Sequence, residues 1–433
     1  MYIVSVDGLS IADLRLLVNL LPKFKRLCKS FSQHELSGDF DSAQPLWAEI
    51  LTGKHWYENG CVGYARLVSS LNQLTHFNES DLLTSIALLD DASNAKQVTI
   101  NVPILRPRDN RTWLSDGSLP INQIVSPRSL LKREPFSEYS PRPFSALAYA
   151  PETDIQLVEK CLRIETTRLE CAAALFADRG WSRFIYRLTI FDHLSHLLGI
   201  NFLRATDLSE FKSIQKFLSL FDDVLENIGA QDKASLSLIS AYSHVPCRGT
   251  LNLNNLLRKG GFFPDENLME TGQERISVST AFYGTVPTRH HLSSLEGRVK
   301  TSQTLACSPI SGCVFINSRD KFEDGFVTDQ NYKTVKRDLG KFLKNSLSQL
   351  FGHAYQLAEN PTDASKNALP EFVVKVDGVE FQNLQESLAG TPRTTHSSKG
   401  FVLLPKGVST SSKLKTVQVT DLLTRGDSRV SSS

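Results

Sequence analysis

The chain has 433 residues, of which 41% are hydrophobic and 22% are charged, values that are ordinary for a folded globular protein. Its 48 lysine and arginine residues nearly balance 46 aspartate and glutamate residues, leaving a formal charge of +2. That balance creates no broad basic field, so we expect no nucleic-acid partner. No apolar run approaches the roughly 18 residues of a membrane span, and the strand-like start leaves no room for a signal peptide, so we expect no membrane partner.

The cysteines indicate the compartment. The chain has seven of them, which is an odd number, and no two form a C-x-x-C pair. This usage favours reduced thiols over a disulfide framework or a zinc finger, because stable disulfides belong to oxidising compartments. We therefore expect a cytoplasmic protein.

Strands and helices are predicted to alternate along the chain. In order, the predicted elements are a buried strand YIVSVDG, a helix IADLRLLVNLLPKFKRLCKSF, a helix from Pro45 that ends at Gly53, a strand TINVPIL, a helix at about 152–178, a strand RFIYRLTIF, a helix at 209–228, a strand SLSLISAYS, a helix LNLNNLLRKGG, and strands GCVFINS and EFVVKV. We expect one domain over residues 1–425, with a cap or loop region at about 65–150 and a polar tail at 426–433.

This alternation favours an α/β fold with a doubly wound, mostly parallel sheet and helices on both faces. Ligands of such folds bind beyond the carboxyl ends of the strands. Asp7 ends the first predicted strand, Asp192 ends another, and His244 follows a third. The sequence therefore predicts that these polar side chains gather at one edge of the sheet.

Asp192 and His196 are four residues apart, so they project from the same side of a helical turn. A carboxylate and an imidazole in that arrangement can bind one divalent metal ion. His396 precedes a further apolar run and is the third candidate for this site.

Six segments form a recognisable series, namely VSVDG at 4–8, PLWAEILTGKHWYENG at 45–60, FDHLSH at 191–196, YSHVPCRGTLNLNNLLRKGGFF at 242–263, GCVFINSRDKFEDGFV at 312–327 and TTHSSKGFVLLPKG at 394–407. In this order they resemble the alkaline phosphatase superfamily, in particular its type I phosphodiesterase and nucleotide pyrophosphatase branch. Together they span nearly the whole chain, and the match is weakest over residues 65–150. The resemblance implies the alkaline phosphatase-like core.

The resemblance also implies two metal ions, commonly zinc, that clamp a phosphoryl group. Asp192, His196 and His396 match the ligands of the first metal. Asp7 and His244 match ligands of the second, but Ser243 stands where relatives have an aspartate. A neutral hydroxyl is a poor ligand, so the resemblance implies one firm site and one weakened site, with manganese as an alternative to zinc.

The nucleophile position departs further from the pattern. Relatives carry threonine or serine ten residues before the glycine of the L-T-G turn, and counting back from Gly53 gives Ala43. Alanine has no oxygen to attack phosphorus, which leaves the neighbouring Ser42, or direct attack by water. Arg248 lies close after His244 and is a candidate contact for a substrate anion.

Two functions follow from these features. The first is a metal-dependent hydrolase or transferase that acts on a small-molecule phosphodiester, diphosphate or phosphate ester. The alternative is a catalytically degenerate member of the superfamily that serves as a metal-stabilised ligand-binding or scaffold protein. The sequence leaves the oligomeric state and the substrate open.

Overall fold

The computed structural model describes residues 1–68, 73–90, 96–117, 124–141, 154–178, 180–203, 212–231, 235–263, 304–322, 325–362, 368–382, 394–408 and 410–430. Its centre is a nine-stranded sheet. In spatial order the strands are β19 (Lys413–Lys415), β2 (Phe31–Ser37), β18 (Lys399–Pro405), β9 (Leu236–Ser240), β1 (Tyr2–Val6), β8 (Trp181–Leu188), β5 (Lys96–Ile100), β6 (Arg111–Leu114) and β7 (Val125–Ser126). All of them run in the same direction except β18 and β7.

Ten α-helices are seen in the described part of the chain. They are α1 (Ile11–Leu20), α2 (Pro22–Cys28), α3 (Ala43–Thr52), α4 (Trp56–Asn59), α5 (Asp154–Asp178), α6 (Ile190–Leu198), α7 (Lys212–Gln231), α8 (Leu253–Lys259), α9 (Asp329–Phe351) and α10 (Thr416–Val430). Three short 3-10 turns lie at Glu79–Asp81, Arg128–Lys132 and Phe136–Glu138.

The central strands bury both faces because successive side chains point to opposite sides of the sheet. In β1, Val4 and Val6 pack into a core with α1, α2, α5, α6 and α7. Ile3 points the other way, into a core that includes α3, α8, α9 and α10. Helices therefore cover both faces of a mostly parallel sheet, which confirms the predicted fold class.

Smaller sheets surround this centre. A four-stranded sheet has the order β12 (Ala306–Ile310), β13 (Cys313–Ile316), β15 (Phe372–Val376) and β14 (Tyr355–Glu359). Among the described residues, three two-stranded sheets pair β3 (Ala65–Val68) with β4 (Gln73–His76), β10 (Ser243–Pro246) with β17 (Thr394–Ser397), and β11 (Gly249–Asn252) with β16 (Val379–Gln382). In the expected cap region at 65–150, β5, β6 and β7 extend the central sheet. In the expected tail, helix α10 continues to Val430.

The first predicted helix is two helices followed by a strand. Pro22 is the first residue of α2, and α1 ends two residues before it. Proline has no N–H for a helical hydrogen bond but fits the first turn of a helix, so it ends one helix and begins the next. Phe31 was expected at the end of that helix, yet it begins strand β2, which pairs with β18.

The described helices include none that is both long enough and apolar enough to cross a membrane.

Candidate metal centre

Helix α6 carries the pair that the sequence singled out. It starts directly after strand β8, and Thr189 is its N-cap residue. A buried network fixes this start, since the Thr189 hydroxyl donates to Glu165 Oε1 at 2.6 Å and accepts from Arg168 Nη1 at 3.1 Å. Asp192 lies in the first turn and His196 in the last, so one helix face presents both side chains at the carboxyl end of β8.

The two other histidines of the centre face each other across a short antiparallel ribbon. Strand β10 follows β9, and strand β17 leads into β18, so neighbouring strands of the central sheet deliver both. In the register of β10 and β17, His244 lies directly opposite His396. Side chains directly opposite on one face of an antiparallel pair have Cβ atoms about 5 Å apart, which brings the two imidazoles together.

The four side chains of Asp192, His196, His244 and His396 converge on one point, with one ligand atom of each within 4.8 Å of the others. Asp192 Oδ1 lies 2.9 Å from His244 Nε2, 3.0 Å from His396 Nε2 and 3.8 Å from His196 Nε2. His196 Nε2 and His396 Nε2 are 3.1 Å apart. The structure therefore brings Asp192, His196 and His396 together across about 200 residues of chain and adds His244 to them.

This donor set fits a divalent metal ion such as zinc. Ligands at about 2.0–2.1 Å from a tetrahedral zinc ion are roughly 3.3 Å from one another, close to the separations seen here. The ring orientation also fits, because Thr394 Oγ1 lies 3.2 Å from His244 Nδ1 and 3.4 Å from His196 Nδ1. A hydrogen bond at one ring nitrogen leaves the other directed at the metal position.

The electrostatics of the cluster suit a cation. Burial alone would raise the pKa of Asp192, but hydrogen bonds from His244 and His396 hold it well below its ordinary value. Burial, and the charge of His244, lower the pKa of His196, and burial also lowers the pKa of His244. Burial alone would lower the pKa of His396, but its hydrogen bond to Asp192 raises it. The cluster thus offers one anion and at least two neutral imidazoles, the forms that bind metals.

Gly8 allows the end of β1 to approach helix α6 closely. Its φ is +97°, and a Cβ atom there would lie 2.6 Å from the backbone nitrogen of Asp192 and 2.7 Å from its Cα. Both the backbone conformation and the space therefore require glycine. The glycine of the VSVDG segment thus sets the position of a metal-ligand candidate.

We expect Gly8→Ala to displace Asp192 and to weaken zinc binding by roughly ten- to a hundredfold, as loss of ligand positioning does in other metal sites. The matched control is Gly180→Ala, because Gly180 has a φ of +85° but nothing within 4 Å of its added Cβ. Zinc titration of both variants measures the difference. Equal zinc affinities would show that the close contact does not position Asp192.

Asp7 lies outside this cluster. Its carboxylate is fully buried and accepts four hydrogen bonds, from Arg187 Nε at 2.6 Å, Ser5 Oγ at 2.6 Å, Trp47 Nε1 at 2.8 Å and the Ala241 amide at 3.0 Å. Arg187 also donates to the Tyr242 hydroxyl. In the arrangement implied by the resemblance, a second metal ion would balance the negative charge of Asp7. Here the guanidinium of Arg187 balances that charge.

The remaining candidates of that second site are also apart from the cluster. Ser243 is buried in β10 opposite Ser397, next in sequence to His244, and His244 itself turns to Asp192. The described residues thus form one four-donor cluster here, and Asp7 and Ser243 are not part of it.

Helix α3 begins at the position expected for the nucleophile. Ala43 is its first residue and is buried in the apolar core, at 2% exposure. Ser42 is the N-cap residue, is half-buried, and makes no capping hydrogen bond with its side chain. Of these two, Ser42 bears the only hydroxyl group.

Arg248 is exposed at the edge of β11, and its aliphatic stem lies alongside Gly378. Arg187 and Thr394, which complete the surroundings of the centre, were not among the residues predicted from the sequence. The sequence held a signal for each of them: Arg187 lies near the carboxyl end of the strand that leads to Asp192, and Thr394 lies two residues before His396, on the same face of a strand.

No family model and no curated protein sequence matches the chain. Solved structures do match. A phosphonoacetate hydrolase from Sinorhizobium meliloti, in complex with phosphonoacetate, superposes with a TM-score of 0.58 at 12% identity over 98% of this chain and 95% of that one. The alkaline phosphatase PafA gives 0.53 at 12% identity over 98% and 95%. The chain has the alkaline phosphatase superfamily fold.

A nucleotide pyrophosphatase also shares this fold. Murine ectonucleotide pyrophosphatase/phosphodiesterase 5, as an inactive threonine-to-alanine variant in complex with AMP, gives a TM-score of 0.53 at 11% identity over 98% of this chain and 94% of that one. Within the alkaline phosphatase superfamily fold, the cluster at Asp192 lies where the carboxyl ends of the parallel strands meet, the usual ligand edge of an α/β sheet.

Proposed function

We propose that the protein is a metal-dependent hydrolase of small phosphate-containing molecules, of the phosphodiester, diphosphate or phosphate ester kind. The observation that carries this proposal is the convergence of Asp192, His196 and His396, with His244, at the ligand edge of the sheet. The proteins that share the fold include hydrolases crystallised with phosphonoacetate and with AMP. We extend to this chain their general class of ligand, which is a small phosphorus-containing anion.

The four clustered side chains would hold one metal ion, most simply zinc because three imidazoles and a carboxylate are ligands that zinc prefers, with manganese as the alternative. When bound, this ion would supply positive charge to a phosphoryl oxygen. The Asp7 carboxylate already has the Arg187 guanidinium as its counter-charge, so we propose a one-metal centre.

The start of helix α3 would bind and attack the substrate. The free N–H groups of a helix N-terminus bind anions, and Ser42 stands at that position. The neighbouring Asp41 is half-buried, and burial raises the pKa of its carboxyl group, while the charges of His396 and Lys375 partly oppose that shift. Trp47 of the same helix donates to Asp7 directly after β1, which supports a location of helix α3 at this edge of the sheet. We propose the Ser42 hydroxyl as the attacking group, since Ala43 has none.

Assays of a panel of chromogenic phosphate esters and diesters, with added zinc or manganese, test this function. We expect metal-dependent hydrolysis by the native chain, loss of it in His196→Ala, and a decrease on the order of 100-fold or more in Ser42→Ala. Ser137→Ala, which changes an exposed serine outside the site, is the control. Hydrolysis that survives Ser42→Ala would instead show direct attack by water.

A second candidate function is a non-catalytic, metal-stabilised ligand-binding or scaffold protein. His244 favours it, because four protein ligands are typical of structural zinc sites, whereas catalytic sites keep one position open. Metal binding without hydrolysis of any substrate in the panel, by the native chain and by His244→Ala, would favour this candidate over the hydrolase.

All seven cysteines are free thiols, and the reducing cytoplasm suits such a set. We therefore propose a cytoplasmic location.

A further inference from the structure

A second cluster of metal-binding side chains lies apart from the candidate metal centre. Asp39, Glu49 and His55 each place one ligand atom within 4.8 Å of the others. They come from three consecutive segments: Asp39 follows β2, Glu49 lies in the middle of α3, and His55 directly precedes α4. None of them belongs to the cluster around Asp192.

Glu49 is the buried base of this second cluster. Its side chain is 1% exposed, and the Thr416 hydroxyl donates to its Oε2. Its Oε1 is fully buried and has no hydrogen-bond partner among the described residues. A buried carboxylate oxygen without a donor costs folding free energy, and a bound cation is one way to remove that cost.

The protein provides little positive charge for these carboxylates. The nearby Lys375 ammonium donates to the Gly38 carbonyl at 3.1 Å and to Ser398 Oγ at 2.7 Å, not to Asp39 or Glu49. His55 Nδ1 lies 2.9 Å from Asp39 Oδ2. Burial, and the charge of Asp39, raise the pKa of Glu49 to about 8. A cation bound beside Glu49 would favour its ionised form.

We propose that Asp39, Glu49 and His55 bind a divalent transition-metal ion at a site separate from the Asp192 centre. Two carboxylates and one imidazole suit zinc or manganese. The side chains of Asp39 and His55 are 25% and 34% exposed, which gives the ion a route from solvent and leaves room for water ligands. The bound ion would tie the segment before α3, which carries Ser42, to α3 and α4.

Counting zinc ions per chain tests this site in the full-length protein. After treatment with a chelator and reloading with zinc alone, we expect two ions in the native chain, one in Glu49→Gln and one in Asp192→Asn. The double variant should bind none. His55→Ala should also lose one ion, and it keeps the proposal testable if Glu49→Gln does not fold, because His55 is partly exposed. His353→Ala, which removes an exposed histidine outside both clusters, should keep two ions.

The proposal is overturned if Glu49→Gln and His55→Ala bind as many ions as the native chain. That result would mean that Glu49 is held as a neutral acid. The count also separates this site from the proposed function. A chain that keeps its ion in Asp192→Asn but loses it in Glu49→Gln would support the present site and contradict the Asp192 centre.

Discussion

Replacing Arg187 with methionine is expected to lower the free energy of unfolding by about 3–5 kcal/mol, the usual cost of removing one partner of a buried ion pair. Arg187 Nε lies 2.6 Å from Asp7 Oδ2, and both side chains are almost completely buried. The variant would leave Asp7 with three neutral donors and no counter-charge. Urea denaturation of the two chains measures the loss.

A double variant distinguishes the charge from simple packing. Asp7→Asn combined with Arg187→Met removes both charges, so it should recover part of the loss and show coupling in a double-mutant cycle. The control is Arg133→Met, because Arg133 and Asp178 are about half exposed and 3.4 Å apart, where an ion pair contributes about 0–1 kcal/mol. A loss in Arg187→Met no larger than in the control would contradict the assigned role of Arg187.

Asp192→Asn is expected to weaken zinc binding at the candidate metal centre by on the order of 100-fold or more, because it removes the only anion of the cluster. Asparagine keeps the shape of the side chain, so the loss reports charge and not volume. Competition for zinc with a chromophoric chelator measures the affinity.

The matched control for this change is Asp90→Asn, which neutralises an exposed carboxylate outside both clusters. It should leave zinc affinity unchanged. Native affinity in Asp192→Asn would rule out Asp192 as a ligand. A parallel decrease in both variants would point to a general effect of charge.

Local spacing explains which parts of the fold and the site can be predicted from the sequence. The alternation of strands and helices predicts the doubly wound sheet, because each apolar run has the period of its element. The spacing of Asp192 and His196 defines one helix face without reference to the rest of the chain. The break at Pro22 could have been predicted in the same way, since proline at that position favours the start of a new helix.

Other features depend on register between distant segments, which no local pattern encodes. His244 meets Asp192 because β10 pairs with β17 so that His244 lies opposite His396, 152 residues away in sequence. The pairing of Arg187 with Asp7 likewise depends on the neighbouring positions of β1 and β8 in the sheet. The sequence shows Arg187 near the end of its strand but not the partner of that side chain.

The ion pair between Arg187 and Asp7 also limits how the centre could be redesigned. An aspartate at position 243 and a hydroxyl at position 43 would not be enough to create the two-metal site that the resemblance implies. The Asp7 carboxylate would still be paired with the Arg187 guanidinium instead of a metal ion. Removing Arg187 first would leave a buried, uncompensated charge. The three changes would therefore have to be made together. The arginine thus makes a one-metal centre resistant to conversion by stepwise substitution.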